Sequence, residues 1–120
     1  MISRYFLLLG CLLLNQGSAL EANTPNQLTI LQYHHVSDST PYVTSLSPAQ
    51  FNEHMMYLKE NDFQPVSLAA SLRTLQQGGQ LPANAVAITF DDGFKNLLDS
   101  AIPLLENLKW PYTIFVNPKL

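Results

Sequence analysis

Ala85-Val86-Ala87-Ile88-Thr89-Phe90-Asp91-Asp92-Gly93 is the stretch on which the fold turns. Its first six residues are apolar but for one hydroxyl, the pattern of a parallel strand buried on both faces. The acidic doublet ends the apolar run, and Gly93 lets the chain turn sharply without a Cβ penalty. In α/β folds chemistry collects at the C-terminal ends of parallel strands, where this doublet falls. Two adjacent carboxylates there repel each other and lose water. Both effects disfavour ionisation unless a cation or hydrogen-bond donors compensate, and a divalent metal is the usual solution. Side-chain alternation separates the two: Asp91 shares parity with Ala87 and Thr89, Asp92 with Val86, Ile88 and Phe90. One can therefore bind metal while the other handles protons. The plainer alternative is that Asp92 caps a helix beginning near Phe94 and Asp91 lies exposed in the loop. Such an N-terminal anion is worth only about 0.3–1 kcal/mol.

Outward from this stretch, strands and helices alternate. Residues 28–36 read as a strand and 37–45 as a loop carrying Asp38, Ser39 and Pro41. Ser47-Pro48-Ala49-Gln50 is a helix start, with Ser at the N-cap, Pro at the first helical position and Gln placed to close a capping box. Phe51, Met55 and Leu58 then fall on one helical face. Asn61-Asp62 ends that helix, and 63–66 can form a short strand. Ser67 can cap a second helix with Leu68, Leu72 and Leu75 as its stripe, stopped by Gly78-Gly79. After the doublet a helix is predicted over 94–108, burying Leu97, Leu98, Ala101, Leu104, Leu105 and Leu108 and kinked by Pro103. Trp110-Pro111 breaks it, and Tyr112-Thr113-Ile114-Phe115-Val116 is the last strand.

This order predicts an α/β fold with a parallel sheet or barrel. A closed (β/α) barrel takes about 250 residues, whereas this chain has 120. As a sheet edge, the apolar last strand would leave unpaired amides. The expectation is the front part of a larger domain, with a complete small open sheet as the alternative.

Six Lys and Arg against nine Asp and Glu give a net charge of −3. Six scattered cations cannot track a phosphate backbone, so nucleic acid is excluded as a partner. A hydrophobic content of 47% excludes a disordered chain. The single cysteine excludes a disulfide framework and a Cys-based zinc knuckle. Residues 1–19 read as a signal peptide: Arg4, an apolar run over 5–14, and small residues Gly17 and Ala19 at the cleavage positions. The run falls short of the roughly 20 apolar residues of a stable membrane span. The product is expected to be secreted or periplasmic. Leu8-Leu9-Gly10-Cys11 is similar to a bacterial lipobox. An outer-membrane lipoprotein anchored through Cys11 is the less favoured alternative, since Leu12-Leu13-Leu14 would make a greasy mature terminus. Residues 20–27 are polar and turn-rich, a linker leading to a domain over 28–120.

Ile88-Thr89-Phe90-Asp91-Asp92-Gly93, followed by Asn96, a Leu-rich helix and Pro111-Tyr112-Thr113-Ile114-Phe115-Val116, resembles the start of the polysaccharide deacetylase domain (NodB homology, carbohydrate esterase family 4). Gln32-Tyr33-His34-His35-Val36, Ser47-Pro48-Ala49-Gln50-Phe51 and Val66-Ser67-Leu68 are similar to the branch that de-N-acetylates biofilm poly-N-acetylglucosamine. The resemblance covers most of residues 28–117. It implies the N-terminal portion of a distorted (β/α) barrel, incomplete in this chain, and metal-dependent hydrolysis of acetyl groups on a polysaccharide. By position Asp91 matches the general base and Asp92 a ligand of a divalent metal, Zn by preference. In the family that ion polarises the acetamide carbonyl and acidifies a water. The other two ligands are histidines of an H-x-x-x-H motif lying after the strand that here ends at Val116, and one Asp does not make a three-ligand site. The 120-residue chain on its own is expected to be inactive.

Among the histidines present, His34 and His35 are strand neighbours and point to opposite faces. His34 shares parity with Ile30 and Gln32, His35 with Leu31 and Tyr33, and one of them is expected to line the substrate pocket. His54 reads as a half-exposed helix residue, and Tyr42 and Trp110 as loop or packing residues with rings able to stack on sugars. A non-catalytic fragment or carbohydrate-binding module of the same fold is the competing function. Aspartyl phosphotransfer fits poorly: the carboxylates are adjacent rather than D-x-D, no Asp follows Asp99, and a leader precedes the domain. The glycan and the oligomeric state stay open.

Overall fold

The computed structural model describes residues 26–118, so the expected leader at 1–19 and most of the linker lie outside the described residues. In chain order the elements are β1 (Thr29–Tyr33), β2 (His35–Val36), β3 (Ser45–Leu46), α1 (Pro48–Glu60), β4 (Gln64–Pro65), α2 (Leu68–Gln76), β5 (Ala85–Asp92), α3 (Asn96–Asp99), α4 (Ala101–Leu108) and β6 (Tyr112–Val116). A 3-10 turn at Tyr42–Thr44 precedes β3. β5 is the hub of the sheet and pairs in parallel with β1, β4 and β6. β2 and β3 form a separate two-residue parallel ladder.

Alternation along the strands builds two faces. Leu31, Tyr33, Val86, Ile88, Phe90, Tyr112 and Ile114 share one face and pack with Phe51, Met55 and Leu58 of α1 and with Leu97, Ala101 and Leu105. Phe51, Met55, Phe90 and Leu105 are sealed from water, each worth about 1.5–3 kcal/mol of transfer free energy. The opposite face carries Ile30 and Phe115, both about half exposed.

Local chemistry sets the helix starts as expected. Ser47 Oγ accepts from the Gln50 backbone N–H while the Gln50 side chain accepts from the Ser47 N–H, closing the capping box. Ser67 caps α2 through the Ala70 N–H, and Gly78 takes a positive φ just past its end.

Several boundaries differ from the sequence reading. The strand expected over 28–36 is interrupted at His34, giving β1 and β2. β5 does not stop at the doublet but runs through it, because Asp91 and Asp92 pair with Phe115 and Val116 of β6. The helix expected over 94–108 breaks at Ser100, whose φ of −130° and ψ of −78° are not helical. The Ser100 hydroxyl sits 2.9 Å from the Val36 carbonyl oxygen and 2.7 Å from that of Asn96, tying the break to β2. Pro103 therefore lies in the first turn of α4, where its missing N–H costs no hydrogen bond, rather than kinking a long helix. Leu98 is 59% exposed, because the single turn of α3 ends before it can share the α4 stripe. On α2 the buried face runs through Leu68, Ser71 and Leu75, and Leu72, one residue and about 100° farther round, is exposed.

Candidate active site

The C-terminal end of β5 presents the doublet. Asp91 keeps strand geometry, in register with Phe115. Asp92 does not: its φ is +68°, and the Gly93 N–H donates to the Asp91 carbonyl oxygen at 2.9 Å. This bond to the residue two back closes a γ-turn centred on Asp92, in its rare positive-φ form. Gly93 also has φ +68°, and a Cβ there would come within 3.2 Å of Val116 Cγ1 and 3.6 Å of Ile114 Cγ2. Glycine takes this backbone angle without the penalty of a Cβ, and a methyl there would press on Val116 of β6.

The Asp91 carboxylate meets two side chains from the β1 region. Gln32 Nε2 donates to Asp91 Oδ2, and His34 Nε2 stands 3.7 Å from the same oxygen. With the His34 and Asp91 side chains 38% and 27% exposed, this ion pair, formed when the imidazole is protonated, is worth at most about 1 kcal/mol. Strand register explains the meeting. Gln32 lies opposite Thr89, two residues before Asp91 on the same face, and His34 follows Gln32 with the same parity. The Thr89 hydroxyl donates to the Leu31 carbonyl at 2.8 Å and pins the two strands there.

The two candidate pocket histidines meet different partners, and the break at His34 takes the pair out of the strand alternation expected to set them on opposite faces. His34 turns to Asp91. The His35 ring stacks on Phe94 with centroids 3.6 Å apart, and its Nδ1 lies 2.9 Å from Asn96 Nδ2. Both line a cavity of about 200 Å³ together with Gln32, Thr44 and Ser45. His54 is exposed on α1, with its Nδ1 3.1 Å from the Tyr33 hydroxyl. Tyr33 belongs to the other side of β1, in an apolar cavity of about 240 Å³ with Leu31, Tyr57 and Phe63. Burial pushes its phenol up to about 12.

The capping alternative for Asp92 fails: the N-cap of α3 is Lys95, and no side chain caps that helix. Gln32 was not singled out in the sequence, although its parity with His34 was the signal that could have found it. Among the described residues no group of three or more His, Cys, Asp or Glu side chains could hold a metal ion. The donors present therefore do not by themselves fit a resident zinc-like ion.

Comparison with known proteins gives the site a context. Residues 78–120 match the polysaccharide deacetylase family. A poly-beta-1,6-N-acetyl-D-glucosamine N-deacetylase of Escherichia coli (strain K12) is 34% identical over 89 residues, which are 72% of this chain and 13% of that relative. Among solved structures, IcaB from Ammonifex degensii is 30% identical with a TM-score of 0.69, over 78% of this chain and 39% of that one. A de-N-acetylase from Aggregatibacter actinomycetemcomitans, 24% identical over 72% of this chain and 36% of that one, has a TM-score of 0.65 and shares the fold. This chain thus spans a small part of the curated relative and about two fifths of the solved ones. The architecture is the N-terminal portion of the parallel-stranded (β/α) barrel of these deacetylases.

Proposed function

From the premise that this chain carries the N-terminal part of a polysaccharide deacetylase domain of the NodB type, we propose that it supplies the base side of a hydrolase site acting on the acetamido C–N bond of a glycan. The observation that carries this reading is the carboxylate of Asp91, held by Gln32 at the C-terminal end of a buried central strand. Asp91 accepts a proton from water as its oxygen attacks the acetamide carbonyl carbon; the C–N bond then breaks as the nitrogen takes up that proton, giving acetate and an amine on the sugar and restoring the Asp91 carboxylate. A substrate-contacting role for His34 is supported by its nearness to Asp91 and by its position on the cavity wall. The substrate class is an acetylated polysaccharide. The name of the Escherichia coli relative favours poly-N-acetylglucosamine over chitin, peptidoglycan or acetylated xylan.

By resemblance Asp92 is a ligand of a divalent ion that activates the water when bound. The described residues do not complete that ion's site, and the proton transfer above is the part of Asp91 alone. The bare 120-residue chain is therefore expected to release no acetate. The same missing donor set favours the second reading, a non-catalytic carbohydrate-binding piece of this fold. The leader motif over 1–19 supports export to the periplasm or beyond. Terminal sequencing of the exported product would start at Leu20, or find lipid on Cys11 if the alternative holds.

The test is a graft. The matched segment of this chain replaces its counterpart in the Escherichia coli enzyme, and acetate release from poly-N-acetylglucosamine oligomers is measured. The graft is expected to be active and Asp91→Asn to lower kcat by about 100-fold or more. A folded graft that binds glycan but releases no acetate would establish the binding reading instead. Full activity in the Asp91→Asn graft would remove Asp91 from the chemistry.

A further inference from the structure

We infer that Gln32 is a positioning residue for Asp91, fixing which carboxylate oxygen is presented for proton transfer. A carboxylate at a strand end that is partly open to solvent can turn about both of its side-chain bonds unless a contact holds it in one staggered χ1. A base that must take a proton along one direction loses rate when it wanders, and a misplacement near 1 Å costs about 100-fold. The β1 region supplies the restraint. Gln32 and His34 both approach Oδ2 of Asp91, the first as a hydrogen-bond donor and the second at 3.7 Å. Both contacts fall on Oδ2, so they turn Oδ1 toward the role of proton acceptor.

The reach is built into the sheet. Gln32 lies opposite Thr89, so Asp91 is its diagonal neighbour, about 6.6 Å along the strand and about 8 Å away across the interstrand gap, a distance the two side chains close between them. The Thr89 hydroxyl bond to the Leu31 carbonyl fixes the base of that side chain. The chemistry of the donor also suits the task. A cation at this spot would favour the ionised carboxylate and weaken it as a base, whereas a neutral amide orients it with a smaller effect on charge. A leucine or glutamate at position 32 would fill the same exposed site without a donor.

The inference rests on Asp91 being the base, but the contact itself is measurable without activity. In the intact 120-residue chain, isotope-labelled, the Hα–Hβ couplings of Asp91 and the side-chain amide protons of Gln32 are read by NMR. The wild type is expected to show one staggered χ1 for Asp91. Gln32→Leu and Gln32→Glu should each lose that preference and average the couplings, while His34→Ala keeps it. Asp91→Ala should shift the Gln32 amide protons and leave those of Asn26, bonded to the distant Gly79 carbonyl at 2.9 Å, unmoved. The Asn26 signals also report that each variant is folded. A single Asp91 rotamer in both Gln32 variants, or Gln32 amide protons indifferent to Asp91→Ala, would overturn the inference. Loss of the rotamer preference together with an inert Asp91 in the graft would instead keep the contact and sink the catalytic reading.

Discussion

Replacing Asp92 with glycine should make the fold more stable while destroying the site. Asp92 has φ +68° at the centre of a γ-turn, and a non-glycine residue held in such a sparsely populated region costs about 1–3 kcal/mol. Aspartate tolerates positive φ better than most side chains, so its cost belongs at the lower end of that range. Glycine relieves the strain but loses about 0.5–1 kcal/mol of unfolded-chain entropy relative to alanine. The balance for Asp92→Gly is a gain of up to about 1 kcal/mol. Asp92→Asn should be nearly neutral, and Asp92→Val should lose 1 kcal/mol or more. Urea unfolding of the 120-residue chain, followed by Trp110 fluorescence, would show Asp92→Gly with a higher midpoint and an unchanged slope. A gain of that size moves the midpoint by about 0.3–1 M. The opposite result, a glycine variant below wild type by the few tenths of a kcal/mol that glycine costs at a lost helix cap or by more, would refute this reasoning and return Asp92 to a structural role. In the graft the same substitution should abolish acetate release, since the residue that strains the turn is the one the resemblance makes a metal ligand.

Gly93→Ala should destabilise by about 1–3 kcal/mol in the same unfolding assay, because its φ is positive and a methyl would press on Val116. Gly78→Ala, also at positive φ but with open space around it, should cost less, and equal costs would remove the packing argument for Gly93. Tyr33 gives a pH signature. Its phenol stays protonated to about 12 in the fold against an ordinary value of 10.0. The stability it contributes is complete below pH 10 and is lost as pH rises through about 12, since only the unfolded chain has released the proton across that window. Tyr33→Phe should flatten the decline in a series of alkaline unfolding curves.

What could be read from the chain without its structure was local chemistry and strand parity. The capping box at Ser47 and Gln50 depends on residues three apart, and the stripe of Phe51, Met55 and Leu58 on one helical period, so both are written in neighbouring letters. Parity alone set Asp91 on the face of Thr89, where Gln32 meets it. The break at Ser100 was not legible because its cause is a contact with the Val36 carbonyl, 64 residues away in sequence. Pro103, the loudest local signal in that segment, pointed to a kink where the helix instead begins. The continuation of β5 through the doublet was hidden for a similar reason: two charged residues read as a strand end, but β6 gives them backbone partners. Gln32 escaped because a glutamine on an exposed strand position announces nothing until a register places it against a carboxylate.

That register gives the three residues of the doublet and its glycine separate jobs. Neighbouring strand residues face opposite sides of a sheet, so an undistorted strand would send the two carboxylates apart and leave one of them among the core residues of the Phe90 face. Asp91 stays in the alternation and meets Gln32 and His34 on the side of Thr89. Asp92 leaves extended geometry through its positive φ, a conformation that Asp62, Asn84 and Lys109 adopt as well; what sets it apart is the place, a γ-turn at the end of the central strand. Gly93 follows with a positive φ of its own and with β6 close by, so that a side chain there would press on Val116. The strain thus sits at the residue that carries the second carboxylate, where a glycine would have been easier to fold.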